Sequence, residues 1–334
     1  MKICISGVAG FLGANLAEHF LNEGHQVVGF DNLFGGEVDN LPKGVEFYLA
    51  DITEKPKNLV HLIDGCDVVY HCAATPYEGV SNFAPGYICE NIYTGSVNVY
   101  TAAILANVKR IVNCSSMARY GHIATPYVES QPPRPTDPYG IAKEAAERTL
   151  KNLSETHGIE YVTAVPHNIY GPKQRYNDPY RNVASIFINL MLQNRQPIIY
   201  GDGKQTRCFS YVTDCISCLA AMGTQDNVIG ETINIGPDEE FITINELAER
   251  IATIIGFKLD PIYMPDRPRE VKHAVCCSDK ARKYLEYETK VSLDEGLTKL
   301  IEWIDRKGPK PFQYHFDLEI INEKTPRTWV DRIF

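Results

Sequence analysis

Three glycines spaced Gly7-x-x-Gly10-x-x-Gly13 follow a short apolar run, KICIS, and open a stretch in which Phe11, Leu12, Leu16, Phe20 and Leu21 fall at helical spacing. Strand, tight turn and helix in that order constrain this chain more than any other feature. Glycine allows the turn and lets a ligand approach the backbone closely. The helix N-terminus then offers free N–H groups and a dipole to an anionic pyrophosphate. Asp31 closes the next apolar run, QVVGFD, where a carboxylate accepts hydrogen bonds from the adenosine ribose hydroxyls. The same charge repels a 2′-phosphate, and the adjoining DNLFGG contains no arginine, so NAD is expected in preference to NADP.

The alternation continues. VEFYLAD, DVVYHCAA, RIVNCSS and IEYVTAVPHN read as strands, and helical stretches lie between them, one near 86–107 and a strong one in YGIAKEAAERTLKNLSETHG. Apolar strands alternating with helices predict an α/β fold, a doubly wound parallel sheet of the Rossmann type covered on both faces. Beyond about residue 170 the alternation gives way to GPKQRYNDPYRN, GDGKQTR and MPDRPRE, with short helices and strands between. Residues 1–170 are therefore expected to form mainly the dinucleotide-binding domain. Residues 171–310 form mainly a smaller mixed α/β substrate-binding domain, with some chain crossing back to the sheet, and 311–334 an ordered C-terminal tail.

Charge and composition exclude other classes. A net charge of −9 argues against nucleic acid as a partner, which demands basic surface. No run approaches the ~20 apolar residues of a membrane span. The N-terminus enters a strand at once, so a signal peptide is not expected and the location read from the sequence is cytoplasmic. Ten cysteines, several in strand-like runs, read as buried free thiols. Cys215-x-x-Cys218 has no second pair at metal spacing and sits in a helical context, so no metal is assigned.

Tyr139-Gly-Ile-Ala-Lys143 opens the strong helix just after Pro138. Positions i and i+4 share a helix face, so both side chains can reach one cavity. There an ammonium beside a phenol favours the phenolate and makes the tyrosine a base. Tyr200-Gly-Asp-Gly-Lys204 has the same spacing, but its two internal glycines read as a turn and it is taken as structural. A hydroxyl partner at the end of the preceding strand is available from Ser115 or Ser116.

With these residues in place, the chain resembles the extended short-chain dehydrogenase/reductases, specifically the nucleotide-sugar epimerase/dehydratase family, from residue 1 to about 305. In that family the catalytic hydroxyl stands four residues before the tyrosine of a Tyr-Gly pair. Here that pair is Tyr120-Gly121, so the implied triad is Ser116, Tyr139 and Lys143. The resemblance implies an NAD site formed by Gly7, Gly10, Phe11, Leu12, Gly13, Asp31, Asn32, Asp51, Ile52, Ala73, Ala74, Tyr139, Lys143 and Pro166. It also implies substrate contacts from Ser116, Met117, Tyr139 and Ala274, and from three motifs. These are Asn168 in HNIYGP, Arg207 in GDGKQTR and Arg267 in RPRE, the arginines holding the diphosphate. Three positions depart from the family: Cys208 and Cys277 stand where Asp is usual, and the helical Asn that often meets the cofactor is displaced by one, to Asn91, so it receives no role.

The function this implies is C4 epimerisation of a nucleoside-diphosphate hexose, a UDP-sugar being favoured. Tyr139 would remove the 4-hydroxyl proton while C4 gives hydride to NAD, and the 4-keto sugar would turn over before hydride returns. A 4,6-dehydratase would carry Asp-Glu after the catalytic hydroxyl, where this chain has Met117 and Ala118. A one-way dehydrogenase or ketoreductase on a nucleotide sugar stays open. A non-catalytic dinucleotide-binding protein is disfavoured by the retained Tyr-Lys pair. Relatives pair two helices across a two-fold axis, so the partner expected is a second copy. Ala274, seven residues beyond Arg267, is expected to leave room for an N-acetyl group unless His273 or Tyr180 fills the space.

Overall fold

The computed structural model describes residues 1–334. In chain order the first half runs β1 (Lys2–Ser6), α1 (Phe11–Asn22), β2 (Gln26–Asp31), β3 (Glu46–Leu49), α2 (Pro56–Ile63), β4 (Val68–His71), α3 (Pro85–Cys89), α4 (Gly95–Leu105), β5 (Arg110–Cys114), α5 (Pro138–His157) and β6 (Glu160–Pro166). The second half adds β7 (Ile169–Tyr170), α6 (Val183–Leu192), β8 (Ile198–Tyr200), β9 (Thr206–Arg207), β10 (Ser210–Tyr211), α7 (Val212–Met222), β11 (Thr232–Ile235), β12 (Ile242–Thr243), α8 (Ile244–Ile255), β13 (Ile262–Met264), β14 (His273–Ala274), α9 (Asp279–Leu285), α10 (Leu293–Lys307) and α11 (Arg327–Val330).

Seven strands form one parallel sheet in the order β11-β6-β5-β4-β1-β2-β3. This is the doubly wound order extended by β11, and its direction reverses between β1 and β4, which opens a crevice at the strands' C-terminal ends. The period of two explains the apolar strands. Ile3 and Ile5 pack with Leu16, Ala17 and Phe20 of α1, while Cys4 points to the other face with Leu59, Val99, Ala103 and Leu150 from α2, α4 and α5. α7 packs on α1 and β11 pairs with β6, so residues 212–235 return to the sheet. The Cys215–Cys218 pair lies buried within α7 as free thiols.

Asp137 caps α5 by accepting from the Gly140 amide at 2.9 Å, Pro138 occupies the first turn, and Gly158 ends the helix at φ 76°. The helical stretch near residue 90 is not continuous α-helix, since Glu90–Thr94 forms a π-turn between α3 and α4. Small sheets β7–β10, β12-β9-β14 and β8–β13 carry the loops of the second lobe over α6, α8 and α10.

The tail is ordered and joins both lobes. The Glu319 carboxylate accepts from the amides of Gly86 (2.8 Å) and Tyr87 (2.7 Å) at the start of α3. Arg195, just after α6, donates to the Ile333 carbonyl at 2.8 Å. Phe316 stacks on Tyr77 and Tyr87, and Trp329 packs edge-on against Phe83, Tyr180 and Tyr200. Trp329 is 4% exposed, and its indole N–H has no acceptor. We expect Trp329→Ala to lower unfolding stability by about 3–5 kcal/mol through the cavity it leaves. Trp329→Phe should cost much less, because it keeps most of the packing and removes the orphaned donor. Urea denaturation of the two variants checks both values.

Candidate active site

A cavity of about 470 Å³ lies along the C-terminal ends of β1, β4, β5 and β6 and under the second lobe. The glycine turn forms its floor. Gly7, at φ 75°, sits so close to β4 that a Cβ there would lie 2.7 Å from the Ala73 amide nitrogen, and a Cβ on Gly13 would overlap the Gly7 carbonyl oxygen. Helix, turn and β4 therefore meet backbone to backbone, leaving the α1 N-terminus open to a pyrophosphate. Asp31 lines this end; its carboxylate accepts from the amides of Ala9 (3.1 Å) and Leu33 (2.7 Å). Burial pushes its pKa up, against the pull of the Leu33, Ala9 and Gly10 amides and of Arg181. Asn32 donates to Asp51 at 2.7 Å. Phe11, Leu12, Ile52, Ala73, Ala74 and Pro166 also line the cavity, and Asp51 stands behind Asn32 rather than at the lining. The set fits a dinucleotide: glycine backbone for the phosphates, a carboxylate for the ribose, apolar side chains around the rest.

At the far end lie Ser116, Tyr139 and Lys143. Ser115 and Ser116 are sorted by a buried carboxylate. Glu147 of α5 accepts from the Ser115 hydroxyl and pairs with Arg119 at 2.8 Å, so the Ser115 hydroxyl is engaged although the residue still borders the cavity. Ser116 stands beside Tyr139 at the lining, and its Oγ accepts from the Ala118 amide at 3.2 Å. Lys143 donates to the Cys114 carbonyl at 2.7 Å. One expectation needs correction. Burial pushes the Tyr139 phenol up, helped by Glu78 and Asp137, against the Ser116 side chain and the Arg181 charge, so the net shift is upward rather than toward the phenolate. The ammonium is directed at the end of β5, and its own pKa is lowered by burial.

The second lobe supplies the other wall. Asn168, at φ 38°, donates to the Cys208 carbonyl at 2.9 Å and lines the cavity. Arg207 donates to the carbonyls of Thr206 (2.8 Å) and Val271 (2.7 Å). Arg267 lies 4.8 Å over the Tyr200 ring and pairs with Glu270 at 2.8 Å, and Glu270 also faces Arg207 at 3.8 Å. Tyr200 thus lines the wall on its own, while Lys204 stands out in solvent, so this second Tyr-Lys spacing builds no joint site.

Met117 and Ala274 are not at the lining. Both pack against Tyr120, Tyr127 and Val165. Tyr127 pins the 274–277 segment by bonding the Val275 carbonyl (2.7 Å) and the Cys277 amide (2.9 Å). Tyr180, not His273, is the side chain that faces the cavity, backed by Trp329. Cys208 is fully buried and Cys277 partly so, both with thiols pushed up by burial.

Among the lining residues given no role from the sequence are Asn91, Glu78 and Arg181. Asn91 was passed over because it is one residue out of phase, and the π-turn absorbs that residue and brings it to the cavity. Arg181 comes from the second lobe, held by Asp178 (3.4 Å) and over the Tyr77 ring (5.3 Å), and a Cβ on Gly35 would overlap its guanidinium. An arginine therefore does adjoin DNLFGG in space, though not in sequence. Glu78 was findable, since it follows β4 at the strand end where such folds bind ligands.

With this geometry in view, comparison with known proteins is informative. Residues 3–236 match the model of the NAD dependent epimerase/dehydratase family. The chain is 33% identical over 308 residues to a putative UDP-glucose 4-epimerase of Methanocaldococcus jannaschii, covering 90% of this chain and 98% of that one. It is 31% identical over 317 residues to UDP-glucose 4-epimerase of Mycolicibacterium smegmatis, covering 92% of this chain and 100% of the relative. A solved UDP-glucose 4-epimerase of Thermotoga maritima with UDP-glucose superposes with a TM-score of 0.86 at 30% identity, over 92% of this chain and 99% of that one. Other relatives include a UDP-glucuronic acid decarboxylase of Arabidopsis thaliana, 31% identical over 89% of this chain and 87% of that one. The chain belongs to the NAD-dependent epimerase/dehydratase family, an enzyme of the extended short-chain dehydrogenase/reductase type with NAD as its cofactor. No helix is long and apolar enough to cross a membrane.

Asp31 gives the test of the dinucleotide end. NAD should bind more tightly than NADP. Asp31→Ala should weaken NAD by about tenfold or more, the loss of charge-assisted hydrogen bonds, and narrow the gap between the two cofactors. Dissociation constants by fluorescence titration check this, and tighter binding of NADP by the unaltered protein would remove the role given to Asp31.

Proposed function

We propose that this protein epimerises a nucleoside-diphosphate hexose at C4, a UDP-sugar being the favoured substrate. The observation that carries the reading is the end of β5. Ser116 meets Tyr139 there, and the next two residues are Met117 and Ala118. Loss of water from C5 and C6 needs an acid and a base, which the resembling 4,6-dehydratases carry directly after the hydroxyl, and a thioether and a methyl are neither. What remains is a tyrosine base, its hydroxyl partner and a buried ammonium around one carbon. Arg207 and Arg267 are suited to the diphosphate by their paired guanidinium forks.

In this reading the Tyr139 oxygen takes the proton of the 4-hydroxyl and Ser116 shares that hydrogen-bond path. Lys143, from the same helix face, keeps positive charge at the base of the site. Bound NAD accepts hydride from C4 and returns it to the opposite face, so no net redox occurs. The cavity leaves space for the ring to turn between the two transfers. A nucleotide-sugar dehydrogenase or ketoreductase would use the same triad and differs only in releasing the oxidised or reduced sugar.

The test is incubation of the protein with UDP-, GDP- and dTDP-hexoses, with products read by NMR with and without added NAD. We expect a C4 epimer and no 6-deoxy-4-keto sugar, and appearance of the latter at catalytic rates overturns the reading. Tyr139→Phe should reduce turnover by about 10²–10⁴-fold and leave NAD affinity within about twofold, because only the phenol oxygen is lost.

The proposal extends to assembly and location. Tyr93, Leu105 and Ile141 stand exposed on the helical segment 90–105 and on α5, the helices expected to pair in an isologous homodimer. Light scattering at micromolar concentration should give twice the mass of 37.5 kDa. The ten unpaired thiols favour the cytoplasm as the place of action.

A further inference from the structure

The cavity contains an acid that the reaction above does not use. Glu78 sits just beyond β4 in the turn Thr75-Pro-Tyr-Glu and lines the cavity with Tyr139, Arg207 and Arg267. Its side chain is exposed and opens to that space. Its charge acts on Tyr139 and Tyr127, and Asp137, Glu270, Arg207 and Arg267 act on it in turn.

Covalent geometry then locates it relative to a substrate. If Arg207 and Arg267 hold the diphosphate and Tyr139 meets the C4 oxygen, only the pyranose ring separates the two. A side chain that faces both lies beside the ring. Three of the guanidinium groups lining the cavity, and Arg175 behind them, already have partners, while Arg269 lines it without a carboxylate. Arg267 and Arg207 share Glu270, Arg181 is held by Asp178 against Gly35, and Arg175 donates to the Phe34 carbonyl at 2.5 Å.

We propose that Glu78 selects the sugar by charge: the site takes a hexose without a carboxylate and rejects a uronate. This rests on the diphosphate and C4 assignments above. A hydroxyl or amide N–H of an uncharged sugar can donate to the Glu78 carboxylate. A sugar carboxylate would lie within a ring's width of it, where like charges repel.

The selection should depend on pH. Desolvation, with Asp137 and Glu270, pushes Glu78 up to about 7, while Arg207 and Arg267 hold it down. Below that value Glu78 is protonated and the repulsion is absent; above it the carboxylate is charged and the repulsion is present. Discrimination against a uronate therefore grows as pH rises through neutrality.

Calorimetric titration of the NAD-loaded protein with UDP, UDP-glucose and UDP-glucuronate, at about pH 6 and about pH 8, tests the proposal without needing turnover. At the higher pH the unaltered protein should bind UDP-glucose about tenfold or more tighter than UDP-glucuronate, with a smaller gap at the lower pH. Glu78→Gln should close the gap at both, as should Glu78→Ala if the amide variant folds poorly. The proposal is overturned if the unaltered protein binds both sugars equally at the higher pH. It is also overturned if Glu78→Gln shifts UDP, UDP-glucose and UDP-glucuronate by one common factor, since Glu78 then acts on the diphosphate alone. Failure of the parent reading shows separately, as absence of any C4 epimer or as unchanged UDP affinity in Arg207→Ala.

Discussion

The geometry of the site depends on one buried carboxylate. Glu147 lies one turn beyond Lys143 on the face of α5 that meets the sheet, and it binds both the Ser115 hydroxyl and the Arg119 guanidinium. Ser115 stands just before, and Arg119 at the end of, the single turn at Met117–Arg119 that follows β5. Helix and strand end are thereby locked in one register, and the consequence is felt at the next residue: with Ser115 turned toward Glu147, Ser116 is left facing Tyr139. Asp137 does the complementary work at the start of α5, fixing the first turn in which Tyr139 sits. A buried ion pair of this kind adds little net stability, but removing one partner strands the other, so it enforces an arrangement more than it strengthens one.

The same reasoning applies to the charges around the cavity. Four guanidinium groups, from Arg181, Arg207, Arg267 and Arg269, would make a strongly positive chamber if each stood alone. Asp178 and Glu270 instead hold three of them in place. Burial pulls Arg207 down from its ordinary value, while the carboxylate beside Arg267 holds that group up. The arginines are thus oriented before any ligand arrives, which reduces the ordering cost of binding an anion. Glu78 differs from Glu270 because it has no guanidinium locked onto it and remains open to the cavity.

How far this was readable from residues alone depends on how local each determinant is. Gly7, Gly10 and Gly13 do their work within one turn, and the period of two in β1 is set by its own five residues, so sheet, cofactor end and helix α5 were all legible. Ser116 could be separated from Ser115 only through resemblance, because the separating group, Glu147, lies thirty-odd positions along the chain. Asn91 was lost to a helical phase that the π-turn at Glu90–Thr94 changes. Arg181 reaches the cofactor lobe from the other lobe, and nothing in its own neighbourhood announces where it goes. Ala274 was counted along a motif as though the loop were free to face the substrate, whereas Tyr127 draws that segment to a separate small core. The effect of Lys143 on Tyr139 was inferred from spacing on a helix, which brings two side chains to one face but does not aim them at each other.

The tail shows why the wall opposite the catalytic residues escaped a motif-based reading. Relatives match about nine-tenths of this chain while nearly all of their own length is used. The final segment has no family pattern to read, only large apolar side chains. In the fold those side chains close one small core, in which Trp329 is grouped with Tyr77, Phe83 and Tyr139 itself. Tyr180 and Tyr200 stand in the wall because Trp329 is behind them, and Trp329 is there because Glu319 grips the start of α3 while Arg195 holds the chain end. The lobe that carries the glycine turn and the lobe that carries the arginines are therefore joined by a strap whose own core borders the reacting centre.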